Sequence, residues 1–165
     1  GENTWNEAKA WVSDGNSFAL MGDGTNAFIY KFYVNNLEAK NCYRISSSVA
    51  TDVLSADFYA FSSTRSVLFY VKNNTLYAYN YDIGNERVDM IPLETTDEIT
   101  MLKFDLTMEP MKDALYIATY SAIEGGSLRK YYVGNNPDKV ELKSDPKAVW
   151  KGLTKVKNMS WRALL

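Results

Sequence analysis

A block of alternating apolar runs starts three times in this chain, at SFALM (Ser17–Met21), SVLFYV (Ser66–Val71) and DALYIAT (Asp113–Thr119), in steps of 49 and 47 residues. A repeat of that length builds one supersecondary unit several times, and each unit hides its apolar face only against a neighbour. A short polar or Gly-bearing break follows each start, then a second, aromatic-rich run: AFIYKFYV from Ala27, TLYAYNYD from Thr75 and SLRKYYV from Ser127. The breaks, Gly22-Asp23-Gly24, Asn73-Asn74 and Gly125-Gly126, supply residues that accept the positive φ of tight hairpin turns. Third runs follow as NCYRIS after Asn35-Asn36, RVDMIPL after Gly84-Asn85 and KVELK after Gly134-Asn135-Asn136-Pro137. Closing runs are DVLSADFYAF from Asp52, EITMLKFDL from Glu98 and KVKNMSWRAL from Lys155.

Three quartets of short runs predict an all-β chain of β-propeller-type repeats, three four-stranded antiparallel blades over 17–61, 66–106 and 113–164 of a single domain, 1–165. VLFYV and ALYIA, the most apolar runs, are expected innermost; RVDMIPL, with Pro92, and KVELKSD are expected at outer edges, because proline cannot donate to a ladder. Alternation places Tyr77, Tyr79 and Tyr81 on one face of their strand and Leu76, Ala78 and Asn80 on the other. A sandwich or open meander shows similar spacing and stays open as an alternative. Around Trp5 to Val12, either a short helix or an outer strand fits. Rings of blades close with about four to eight units. Three blades therefore predict a fragment of a larger protein, a homodimer formed through exposed blade faces, or three blades that stand open with unusual packing.

Composition narrows the chemistry. Twelve Tyr, seven Phe and four Trp make 14% of the chain, a bias toward residues that suit half-buried sheet surfaces. With no His, histidine triads and the usual zinc sites are excluded. The one cysteine, Cys42, forms no internal disulfide and is expected as a small buried apolar residue. A net charge of −2 provides no field for capturing nucleic acid. No apolar run reaches the roughly 18 residues of a membrane helix. The chain starts at Gly1, which predicts a leader already removed.

LFYVKNNTLYAYNYD (Leu68–Asp82), EITMLKFD (Glu98–Asp105), ALYIATY (Ala114–Tyr120) and WKGLTKVKNMSW (Trp150–Trp161) resemble the C-terminal repeat region of the PKD-like family of Bacteroidetes surface lipoproteins. That resemblance implies a C-terminal fragment of an outward-facing protein anchored in the outer membrane. It also implies association with a nutrient-uptake system built around a porin and a ligand-binding lipoprotein. No catalytic motif comes with it.

Catalysis by carboxylates alone needs a pair held about 5–10 Å apart. Asp52, Asp57, Asp97, Glu98, Asp105 and Asp113 are the candidates, all at expected strand ends or turns. Asp14-Gly15-Asn16 and Asp23-Gly24-Thr25-Asn26 lack the oxygen density of a calcium loop and read as turns. No metal or cofactor is expected. Neither Ser127, three residues from Lys130, nor Ser46-Ser47-Ser48 comes with an oxyanion turn. Lys151, Lys155 and Lys157 fit a solvated edge. Tyr120 and Trp150, beside loop segments, are the candidate ligand-binding residues, for a glycan, peptide or protein. The expectation is a non-enzymatic binding or scaffolding module at a bacterial cell surface or in the periplasm. Its alternative is a fragment of a carboxylate-dependent glycan-active enzyme.

Overall fold

The computed structural model describes residues 7–13, 16–22, 26–33, 39–62, 65–82, 84–104 and 114–159. Their order is β1 (Glu7–Ser13), β2 (Asn16–Gly22), β3 (Ala27–Tyr33), β4 (Ala39–Arg44), α1 (Ser47–Leu54), β5 (Phe58–Phe61), β6 (Val67–Lys72), β7 (Thr75–Asn80), β8 (Arg87–Ile91), β9 (Glu98–Phe104), β10 (Ala114–Ser121), β11 (Gly125–Val133) and β12 (Leu142–Leu153). The described residues are all-β apart from one short helix. Their strands form three four-stranded antiparallel sheets, each a simple meander: β1-β2-β3-β4, β5-β6-β7-β8 and β9-β10-β11-β12. No helix among the described residues is long and apolar enough to cross a membrane.

The second sheet is apolar on both faces, which places it between the other two. On β6, Val67, Phe69 and Val71 join Ile99, Leu102, Phe104, Leu115 and Ile117 of the third sheet in one core. Leu68 and Tyr70, pointing the other way, join Phe18, Leu20 and Ile29 of the first sheet, with Ala50 and Val53 of α1. β7 divides in the same manner, Leu76 and Ala78 toward the third sheet and Tyr79 and Tyr81 toward the first. Phe69 stacks on Phe104 at 6.3 Å and Phe18 on Phe61 at 5.2 Å, one aromatic pair bridging each layer. The first strands β1, β5 and β9 lie side by side, so the sheets fan outward from them toward β4, β8 and β12.

Grouping into quartets holds, but the quartets are cut one strand earlier than the spacing predicts. The sheets span 7–44, 58–91 and 98–153, not 17–61, 66–106 and 113–164. A period has no phase: Phe58 to Phe61 and Glu98 to Phe104, expected to close a unit, open the next one, pairing Phe58 with Val71 and Leu115 with Phe104. The extra opening strand of the first sheet is β1: that segment is a strand and not a helix, but it opens the first sheet beside β5 instead of completing another unit as an outer strand; Trp5 lies outside the described residues. VLFYV and ALYIA are accordingly second strands rather than innermost ones. Both have strands on each edge; VLFYV has a sheet on each face, while ALYIA has the second sheet on one face and Val156 and Met159 on the other. RVDMIPL and KVELKSD do supply edge strands, β8 and the start of β12.

Two further expectations change. The run from Asp52 is not one strand, because Ser47–Leu54 is helical and only Phe58–Phe61 is extended. Val49, Ala50, Val53 and Leu54 recur at helical spacing, and the buried Ala50 and Val53 cover the junction of the first and second sheets. Cys42 is exposed, on the edge strand β4. Residues 155–159 of the last closing run are not a strand, and 160–165 lie outside the described residues.

Turn chemistry follows the sequence where it is described. Asn73 and Asn74 have φ of 51° and 56°, the double left-handed turn of a two-residue hairpin. Gly125 has φ 77°, and a Cβ on Gly126 would lie 2.0 Å from the Thr154 carbonyl oxygen. There the chain leaving β12 crosses the β10–β11 hairpin. Gly126→Ala is therefore expected to cost about 1–3 kcal/mol by overpacking, read as a lower urea midpoint at unchanged slope. Gly24, Asn35 and Asn36 lie outside the described residues.

The buried tyrosines are held in the neutral form by their surroundings. Burial, with Asp52 and Tyr77 adding repulsion, pushes the Tyr70 phenol up to about 12 from 10.0. Tyr81 is raised by burial and Tyr43, Tyr79 by burial and its hydrogen bond to Glu86, and Tyr131 by burial and its hydrogen bond to Glu94. Each raised value favours the neutral phenol in the fold. The stability gained is full below pH 10.0 and is lost as pH rises through the folded values, for Tyr70 about 12. Loss of β-sheet circular dichroism is expected to accompany the last tyrosinate absorbance above pH 10.0; ionisation of every tyrosine with the sheet signal intact would contradict it.

Candidate functional site

A concavity lies between the outer strand of the second sheet and the segment that leads into the outer strand of the third. β8 builds one side. Arg87, Asp89 and Ile91 sit opposite Asn80, Ala78 and Leu76 and so face the third sheet, while Val88 and Met90 sit opposite Tyr79 and Tyr77. The segment from Lys139 to Lys143, leading into β12, builds the other side. A groove of about 340 Å³ results, with Ile91, Val140 and Leu142 as its apolar floor. Met90, 64% exposed, and Pro92 form one lip. Lys139, Glu141 and Lys143 form the other, with Lys139 paired to Glu141 at 3.3 Å. Around Met90, Ile91 and Pro92 it adjoins a second concavity of about 260 Å³ bounded by Thr95, Thr96 and Asp97.

Polar side chains hold the two sides at a fixed spacing. Asp89 Oδ2 accepts from the Val140 amide at 2.8 Å and from Arg87 Nε at 3.2 Å. Arg65 donates to the Gly134 carbonyl at 2.6 Å and to Asn135 Oδ1 at 3.0 Å. Glu94 accepts from the Tyr131 hydroxyl at 2.5 Å and pairs with Arg129 at 3.1 Å. At the far end, Asn74 donates to the carbonyls of Thr96 and Asp97, at 3.3 and 3.1 Å, and accepts from the Ile99 amide at 2.7 Å. The groove is thus preformed by contacts that also hold the sheets together. Glu86, by contrast, serves the opposite seam: hydrogen bonds from Tyr79 and Ser46 hold its carboxyl below the usual range against a desolvation cost.

The residues singled out from the sequence lie elsewhere. Tyr120 and Trp150 share the far face of the third sheet, on strands separated by β11. The Lys155 ammonium lies 5.4 Å over the Tyr120 ring, and Trp150, opposite Leu128, is 46% exposed. No ring contact joins the two among the described residues. Along that face, Val156 and Met159 pack on Met101, Tyr116, Ala118 and Leu128. Lys155 pairs with Glu98 at 3.1 Å, and Lys103 donates to Asn158 Oδ1 at 3.2 Å.

Of the carboxylates, Asp52 is in α1, Asp57 precedes β5, Asp97 precedes β9 and Glu98 begins it. Asp105 and Asp113 lie outside the described residues, as do Asp14, Gly15 and residues 23–25 of the two turn segments. Asn26 accepts from Arg44 at 2.8 Å. Ser46 precedes α1, whose first residues are Ser47 and Ser48. Ser127 and Lys130 point to opposite faces of β11, and the Lys130 ammonium lies 5.8 Å from the Tyr116 ring centre and 5.0 Å from that of Tyr132. Met90, Leu142, Lys139 and Lys143 do not stand out in the sequence because they become neighbours only when two outer strands are placed side by side. No protein-family model matches the chain, and neither a curated protein nor a solved structure matches it.

Proposed function

We propose that the three sheets are blades of a propeller-type array and that the chain is a non-enzymatic binding or scaffolding module whose ligand site is the groove between β8 and residues 139–143. Its place, following the resemblance to surface lipoproteins, is the bacterial cell surface, within a glycan- or nutrient-uptake assembly. The blade assignment is supported by a middle sheet buried on both faces and by first strands that gather along one line. It is supported too by the path after β12, which returns to β9 through Lys155 and Glu98 just as the chain returns from β8 to β9. One observation carries the binding role: an apolar-floored groove is held open by hydrogen bonds on a rigid frame, the arrangement that suits recognition.

Amide NMR of the chain, titrated with pooled peptides and with pooled oligosaccharides, tests the proposal alongside a reducing-sugar assay. A binding module is expected to show saturable shifts at residues 90–92 and 139–143 with no sugar released. Sugar release abolished by one Asp or Glu substitution would instead establish the carboxylate-dependent enzyme. Shifts confined to Tyr120 and Trp150 would move the site to the far face of the third sheet.

A further inference from the structure

We infer that the cleft between the start of β8 and residues 136–140 takes a small hydroxylated carboxylate, its acid group received by Arg87 and Asn80 and a hydroxyl by Asp82. Along β8 this cleft lies before Asp89 and the groove after it, and the cleft needs no ligand in the groove.

Three observations select that ligand. First, the cross-strand register puts two donors on the face that borders the cleft. Arg87 sits opposite Asn80, and Asn80 opposite Val67, which belongs to the core shared with the third sheet. Second, both donors keep hydrogen-bonding capacity in hand. Arg87 gives Nε to Asp89 Oδ2 at 3.2 Å, which fixes the guanidinium, and its two Nη groups have no protein partner among the described residues. Asn80 Oδ1 accepts from the Asp82 amide at 2.9 Å, and its Nδ2 donor has no protein partner among those residues either. A guanidinium fork beside an amide donor matches the two oxygens of a carboxylate. Arg65, tied to Gly134 and Asn135 across the seam, brings a second guanidinium to the lining. Third, the lining also holds an acceptor. The exposed Asp82 carboxylate forms no hydrogen bond or ion pair among the described residues. A fixed negative charge there opposes a dianion such as phosphate, yet it accepts from a hydroxyl, which acetate does not carry. The cleft holds about 260 Å³, below the roughly 300 Å³ at which ligand clefts begin, so it suits one small ring and not a chain.

The test is an amide NMR titration of the chain with galacturonate, galactose, sodium acetate and inorganic phosphate, each at the same ionic strength. Galacturonate is expected to shift residues 80–82 and 87 saturably and to bind about tenfold more tightly than each of the other three. Arg87→Gln is expected to weaken it about tenfold. Asn80→Asp keeps an acceptor for the Asp82 amide but places a second carboxylate in the cleft, and is expected to abolish binding. An unchanged urea midpoint verifies that each variant folds, and Asn80→Asp, which leaves Arg87 and Asp89 in place, decides the matter if Arg87→Gln is destabilised. Galactose, acetate or phosphate binding as tightly as galacturonate would overturn the inference, as would galacturonate binding untouched by Asn80→Asp. Absence of any shift at residues 80–82 and 87 would overturn it too. Shifts confined to residues 90–92 and 141–143 would overturn it while supporting the binding role of the groove.

Discussion

Phe69→Ala is expected to lower the free energy of unfolding by about 3–5 kcal/mol. Phe69 is fully buried on β6, stacks on Phe104 at 6.3 Å, and belongs to the core shared by the second and third sheets. Removing the ring takes away the transfer free energy of an aromatic side chain and leaves a cavity bounded by two sheets, neither of which can collapse alone. Against a domain stability of about 5–15 kcal/mol, such a loss displaces the urea midpoint far enough to measure easily. Val88→Ala, on the exposed side of β8, is the control and is expected to change stability by less than about 1 kcal/mol. A loss below about 1 kcal/mol for Phe69→Ala would mean that the second and third sheets are not stacked as described.

Asn74 provides the second large effect, because its backbone and its side chain do separate jobs. Its φ of 56° ends the β6–β7 turn in the left-handed region, and its amide ties that turn to Thr96, Asp97 and Ile99 of the third sheet. Asn74→Ala loses both the tolerated backbone and the tie, and is expected to cost about 2–4 kcal/mol. Asn74→Gly keeps the backbone and loses only the tie, so about 1–3 kcal/mol is expected. Urea denaturation of both variants separates the contributions. Equal stability of Asn74→Gly and the parent would show that the cross-sheet hydrogen bonds contribute nothing.

Strand content was legible because tyrosine and branched residues alternate between turn residues with distinct backbone demands. Asn73-Asn74, Gly84 and Gly125 all adopt the positive φ that their places imply. What periodicity left open was phase. EITMLKF reads identically whether it ends one sheet or begins another, and only its pairing with β10 and its position beside β5 decide. The helix was obscured because Val53 and Leu54 run on through Ser55 into FYAF, so one apolar stretch hides a change of period. The groove was less legible still. Its two sides come from RVDMIP and KVELK, about 50 residues apart in sequence, and neither carries a motif. Tyr120 and Trp150 are conspicuous in the sequence because they are aromatic and lie beside loop segments. An aliphatic floor between two edge strands has no comparable signature.

All of this depends on the second sheet lying between the first and the third, since that arrangement places β8 beside residues 139–143. Aromatic nuclear Overhauser effects in the folded chain test it most directly. The Phe69 ring is expected to show effects to Phe104 and Leu115 of the third sheet, while the Tyr70 ring, one residue on, shows effects to Val53 and to the first sheet. Effects from both rings to the same neighbouring sheet, or from Phe69 to Phe18 and Leu20, would contradict the three-layer stack and with it the groove.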